Sequence, residues 1–172
     1  HFGKEELSLF CNLEDNPGFI CRDICSLDDS TLLCCSHSGS VLIDKISGQT
    51  SPSPYHRYSE ISAAMIDSKG RIWMAYYNHG IEVLDKEGNS LKRYETGNSA
   101  LSSNVVLCFT ERGSAIWAGT DGGGINIIDP ETDVITSLTH IAGDPSSLPA
   151  HSIKRRQSPS QETDILKSEM LY

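Results

Sequence analysis

Trp73 and Trp117 stand 44 residues apart, and each sits inside the same local pattern. Gly70-Arg71-Ile72-Trp73-Met74-Ala75 closes at Gly80-Ile81-Glu82-Val83-Leu84-Asp85. Ser114-Ala115-Ile116-Trp117-Ala118-Gly119 closes at Gly124-Ile125-Asn126-Ile127-Ile128-Asp129. Moving the register 41 residues upstream puts Leu32-Leu33-Cys34-Cys35 under the tryptophan strand, with Leu32 at the tryptophan position, and Gly39-Ser40-Val41-Leu42-Ile43-Asp44 under the glycine strand. A period of about 40–45 residues built from short apolar runs and Gly turns marks β-propeller blades, in which one four-stranded unit cannot bury both of its faces alone.

Apolar alternation over four to six residues argues a half-buried strand, and Gly or Asp-Gly clusters argue the turns between. In the third copy this predicts strands at Val105 to Phe109, Ala115 to Gly119, Ile125 to Ile128 and Val134 to Leu138, running from the innermost position to the outermost. The sequence therefore predicts an all-β chain, a partial propeller of about three four-stranded antiparallel blades plus incomplete flanking strands. The propeller region spans 1–153, with repeats near 19–58, 61–94 and 101–138 and an incomplete one starting near 148. Leu7 to Phe10 reads as the end of an earlier copy. Closed propellers have about four to eight blades, so a piece of a larger ring is expected. The polar stretch from Lys154 breaks the pattern, and 154–172 is expected to be an atypical end, poorly packed or forming a short helical turn.

The stretch Ile116-Trp117-Ala118-Gly119-Thr120-Asp121-Gly122-Gly123-Gly124-Ile125-Asn126-Ile127-Ile128-Asp129-Pro130-Glu131-Thr132, followed by Thr139-His140 and Gly143-Asp144-Pro145-Ser146-Ser147-Leu148-Pro149, resembles the two-component regulator propeller repeat. The resemblance is strongest over 101–153, good over 61–94 and weakest over 19–58. It implies a paired propeller sensor on the periplasmic side of bacterial hybrid two-component systems, many of which govern polysaccharide use. It also implies a membrane helix, a histidine kinase and a DNA-binding output, none of which this stretch of sequence contains. The resemblance thus implies an oligosaccharide or other small ligand and a homodimer formed through the full sensor, at the periplasmic side of the inner membrane.

Composition narrows the alternatives. A net charge of −9 argues against a nucleic-acid surface, which needs clustered Lys and Arg, and Lys154-Arg155-Arg156 is the only basic run. No stretch approaches the ~20 apolar residues that span a bilayer. The six cysteines, at 11, 21, 25, 34, 35 and 108, fall largely inside apolar strand patterns, which favours buried thiols over a disulfide framework. No metal-ligand spacing appears, so neither metal nor cofactor is expected. Gly122-Gly123-Gly124 is followed by strand residues, which makes it a hairpin turn and not a phosphate cradle. Catalysis is not expected either, since no nucleophile elbow or aligned trio occurs.

Meander topology supplies a site. In a four-stranded blade, the turn between second and third strands and the link to the next blade emerge on one face. That face gathers His37, the run Tyr76-Tyr77-Asn78-His79, and Thr120-Asp121. Aromatic rings beside amide and imidazole groups suit sugar stacking and hydroxyl recognition, so Tyr76, Tyr77, Asn78, His79, His37, Thr120 and Asp121 are the candidate ligand residues. Two other readings remain open: a free-standing propeller acting as a protein-interaction module, and a propeller lyase with His and acidic groups in its central channel.

Overall fold

The computed structural model describes residues 19–55, 57–149 and 153. The Leu7 to Phe10 fragment, Cys11 and the 154–172 segment lie outside the described residues. Within them the chain is all-β, with no helix. Three four-stranded antiparallel sheets follow one another. The first holds β1 (Cys21–Ser26), β2 (Thr31–Ser36), β3 (Gly39–Asp44) and β4 (Thr50–Pro52). The second holds β5 (Ile61–Ile66), β6 (Ile72–Tyr76), β7 (Gly80–Leu84) and β8 (Ser90–Tyr94). The third holds β9 (Val106–Arg112), β10 (Ala115–Thr120), β11 (Ile125–Ile128) and β12 (Ile135–Leu138). Each sheet is a simple meander, with neighbours in sequence paired in space.

The innermost strands β1, β5 and β9 adjoin one another and so define the axis side of three blades. The Ala64 amide donates to Asp23 Oδ2 at 2.9 Å, and Ser62 Oγ donates to the Val106 carbonyl at 2.6 Å. Every innermost strand carries a register shift at its second residue, at Arg22, Ser62 and Leu107. Such an extra residue bends a strand and re-aims its first side chain.

Alternation along each strand sends side chains to opposite faces, so the middle blade is apolar on both. Trp73, Ala75, Ile81 and Val83 face the third blade, where they meet Val106, Phe109, Ile116 and Ala118. Ile72, Met74, Tyr76 and Leu84 face the first blade and meet Leu33, Cys35 and Tyr55. Trp73 is fully buried, its ring stacked on Tyr94 with centroids 6.0 Å apart and edge-on to Phe109 at 6.3 Å. A tryptophan that buries ~200 Å² of mostly apolar surface contributes about 5 kcal/mol before entropy is subtracted. Trp117 sits at the matching register, opposite Ile127 as Trp73 is opposite Val83, and is only half-buried. It packs with Cys108, Ile125, Ile127, Leu148 and Ile153 on the side of the third blade turned away from the second.

The register corrects the alignment of the first copy. Leu33, paired with Leu42, occupies the tryptophan position; Leu32 falls one residue short and points to the other face. A one-residue slip inverts every side chain of a strand, and the sequence pattern of the weakest copy could not fix it. The cysteines also divide differently from expectation. Cys34, Cys35 and Cys108 are buried, Cys25 is partly buried, and Cys21 is exposed.

Candidate ligand-binding face and crevice

The turns after β2, β6 and β10 and the links entering β5 and β9 converge on one face, and a chain of backbone hydrogen bonds holds them there. The Glu60 amide, just before β5, donates to the His37 carbonyl at 2.6 Å, and the Tyr77 amide donates to the Glu60 carbonyl at 3.0 Å. One blade further on, the Gly80 amide donates to the Asn104 carbonyl at 3.0 Å and the Asp121 amide to the Val105 carbonyl at 2.8 Å. The Ile153 amide then donates to the Thr120 carbonyl at 2.9 Å, so the pattern continues past the third blade. Loops fixed in this way on a rigid scaffold are suited to recognition.

The seven candidate residues separate into two groups. Tyr76 and Thr120 are the last residues of their strands, not members of the turns, and both are fully buried. Thr120 Oγ1 donates to the Gly124 carbonyl at 2.8 Å, which closes its own hairpin. Tyr76 points toward the first blade, where its hydroxyl accepts the Arg57 amide at 3.2 Å. Burial, reinforced by the charge of Glu82, raises the Tyr76 pKa and keeps the hydroxyl protonated. His37, Tyr77, Asn78, His79 and Asp121 lie in the turns themselves, and Asn78 adopts φ 62. Tyr77 is 48% exposed, a large ring left open to solvent.

The residue that sequence reasoning missed here is Tyr58, in the link between the first and second blades. Its ring stacks on His79 with centroids 4.3 Å apart and an interplanar angle of 4°, and meets Tyr76 edge-on at 5.3 Å. The Arg93 guanidinium lies over the other part of this cluster, 5.5 Å from the Tyr58 centroid, and donates to the Tyr58 hydroxyl at 3.1 Å and to Glu95. Repeat comparison could not find Tyr58, because the links differ in length and sequence between copies.

Beneath this link lies a crevice of about 360 Å³ lined by Pro54, Arg57, Glu82, Leu84, Gly88 and Ser90. Glu82 is 1% exposed, and among the described residues neither carboxylate oxygen accepts a well-aligned hydrogen bond; the Tyr76 hydroxyl makes a weaker approach to it, and Arg57 Nε lies 3.0 Å from Oε1 as an ion pair. The third blade carries Asn126 at the same register. There the side-chain amide has partners on both its oxygen and its nitrogen, accepting from the Ser102 amide and Ser137 Oγ, both at 3.0 Å, and donating to Ser102 Oγ at 2.8 Å. A buried polar group normally has such partners, so Glu82 stands out as a carboxylate with spare accepting capacity beside a cavity. Among the described residues no cluster of His, Cys, Asp or Glu is arranged to hold a metal ion.

No family model and no curated protein matches the chain. Solved structures do. Two structures of the extracellular domain of BT4673 from B. thetaiotaomicron, assigned as a one-component or hybrid two-component system, align with TM-scores of 0.68 and 0.69 at 12% and 11% identity. Each covers 85% of this chain, which in turn spans about one fifth of theirs, 20% and 19%. PorZ, a surface component of the type-IX secretion system of Porphyromonas gingivalis, aligns with TM-score 0.53 at 16% identity over 66% of this chain and 18% of its own. The computationally designed Ika4 protein aligns with TM-score 0.58 at 11% identity, covering 85% of this chain and 84% of its own. At these identities the likeness shows a shared fold, that of radially arranged four-stranded sheets.

Proposed function

We propose that this chain is part of the ligand-sensing propeller of a hybrid two-component sensor, on the extracytoplasmic side of the inner membrane, and that its ligand is an oligosaccharide. The observation that carries the reading is the Tyr58–His79 stack beside the exposed ring of Tyr77, on the face where the interblade links converge. The fold it shares with the extracellular domain of BT4673 supports the same reading. Tyr77 offers a platform for a sugar ring, while Asn78, His79, His37 and Asp121 offer directional partners for hydroxyls. Tyr76 and Thr120 act from underneath by fixing the turns. The chain itself performs no chemistry in this scheme. A ligand that prefers one arrangement of two paired sensors shifts the signalling equilibrium by its difference in affinity and by no more.

Calorimetric titration of the complete sensor with a panel of oligosaccharides tests the proposal. A binding sugar should lose at least tenfold in affinity when Tyr77→Ala and His79→Ala are combined, with the fold intact by circular dichroism. Unchanged affinity in that double variant would remove this face from the scheme.

A further inference from the structure

We propose that Cys21 and Cys34 form an intrablade disulfide, made by thiol–disulfide exchange with an incoming small-molecule or protein disulfide. Their Sγ atoms lie 2.9 Å apart. That is well inside ordinary non-bonded contact, about 3.5–4.0 Å even between carbons, and within easy rotation of a bond of about 2.05 Å. The register explains why they meet. Cys35 pairs with Asp23, so an unbroken ladder would set residue 22 opposite Ser36 and turn Cys21 to the wrong face. The extra residue at Arg22 instead brings Cys21 opposite Ser36, on the same face as Cys34 and diagonal to it.

Comparison of the blades makes the pair distinctive. The equivalent positions are Ile61 and Met74 in the second blade and Val106 and Ala118 in the third, apolar pairs set by the same bulge. Only the first blade puts two thiols there. Cys21 is exposed and Cys34 is 3% exposed, so an exchange partner meets Cys21 first. The Cys34 hydrogen bond favours the Cys21 thiolate and lowers its pKa, against burial and the charge of Asp23. Cys35 is the opposite case: it is fully buried, and burial pushes its thiol far up, so it remains an inert neutral group.

The chemistry balances in two steps. The Cys21 thiolate, its proton released to water, attacks one sulfur of the exchange disulfide and expels the other as a thiolate, which takes up a proton. Cys34 then gives up its proton, attacks Cys21 Sγ in the mixed disulfide and expels the second thiolate. Two cysteine thiols are oxidised by two electrons, and one exchange disulfide is reduced to two thiols. The proposal concerns the chain's own sulfur chemistry and does not depend on what ligand the face binds.

The test treats the wild-type chain with oxidised glutathione, unfolds and alkylates it, and digests it with an endoproteinase that cleaves before aspartate. The fragments separate the thiols well: 1–14 holds Cys11, 15–22 holds Cys21, 23–27 holds Cys25, and 29–43 holds Cys34 and Cys35. The expected result is a fall from six alkylatable thiols to four, and a linked species joining 15–22 to 29–43 through Cys34, released by reductant. Cys34→Ser should leave Cys21 carrying a glutathione that cannot resolve. Six alkylated thiols after oxidation, or a bridge that omits Cys21 or Cys34, would overturn the proposal; the wild-type fragment map shows whether Cys21 is bridged, and tandem mass spectrometry of the linked species assigns the bond to Cys34 or Cys35, whatever the variant does.

Discussion

Trp73→Phe probes the contact on which the blade packing most depends. The indole N–H donates to Asp67 Oδ2 at 2.9 Å, inside a cluster where Arg71 Nε also reaches Oδ2 at 2.6 Å. Loss of a hydrogen bond to a charged group costs about 1.5–3 kcal/mol, and the retained Arg71 contact places this one near the middle of that range. The smaller ring leaves a void between Tyr94 and Phe109; at about 24 cal/mol per Å³, a gap of about 40 Å³ adds about 1 kcal/mol. The expected total is about 3 kcal/mol. Trp117→Phe is the control, since Trp117 is half-buried and its indole N–H makes no hydrogen bond among the described residues. It loses chiefly its contact with the Arg112 guanidinium, 5.6 Å from the ring centroid, and should cost about 1 kcal/mol. In urea denaturation followed by circular dichroism, with a slope of about 2 kcal/mol/M, the midpoint should fall by about 1.5 M for Trp73→Phe and about 0.5 M for Trp117→Phe. Combining Trp73→Phe with Asp67→Asn should give a non-additive term of at least about 1 kcal/mol. Equal shifts for the two tryptophans, or strict additivity with Asp67→Asn, would refute the reasoning.

Asp67 also predicts a pH dependence. Burial opposes its ionisation, yet the hydrogen bonds from Trp73 and Arg71 and the charge of Arg71 outweigh it and hold the carboxyl below the usual range. Its stabilising contribution is therefore complete above the unfolded pKa of about 3.9 and disappears as pH falls through the lower folded value. Acid titration of stability should show a loss starting near pH 4 that is smaller in Asp67→Asn; identical acid profiles would count against the cluster. Gly124 has φ 74, and a Cβ there would meet the Leu138 carbonyl oxygen at 2.1 Å, so Gly124→Ala should cost at least the 1–3 kcal/mol of about one strained residue, read as a lowered urea midpoint. Glu82→Gln should change stability by less than about 1 kcal/mol, because Arg57 is half-exposed and resolvates when the charge is removed. A loss of about 3 kcal/mol or more would instead show the ion pair to be a mainstay of the crevice.

The strands were legible in the sequence because a period near 43 residues recurred with its turn chemistry intact. In the third copy Ala115 and Ile125 to Ile128 begin and end strands as expected, and the innermost strand starts one residue later, at Val106, and runs further, to Arg112. Glycine positions were equally readable, since Gly80 and Gly124 both sit where a Cβ would strike the outer strand's carbonyl, at 2.2 and 2.1 Å. Three things were hidden. The bulges at Arg22, Ser62 and Leu107 leave no mark in apolar alternation, and they alone decide that Cys21 faces Cys34. The strand ends at Tyr76 and Thr120 read as turn residues because the polar run begins one residue before the chain actually turns. Tyr58 and Arg57 come from a link with no periodicity, so only the folded path brings them over His79 and Glu82.

Strand-resolved amide hydrogen exchange measures the radial arrangement most directly. A middle blade covered on both faces should exchange slowest, so β6 and β7 should be the most protected, with β10 next and with β1, β4 and β12 faster by at least tenfold. Uniform exchange across the three sheets, or protection in β6 no greater than in β1, would contradict the stacking of blades on which the ligand face and the crevice both rest.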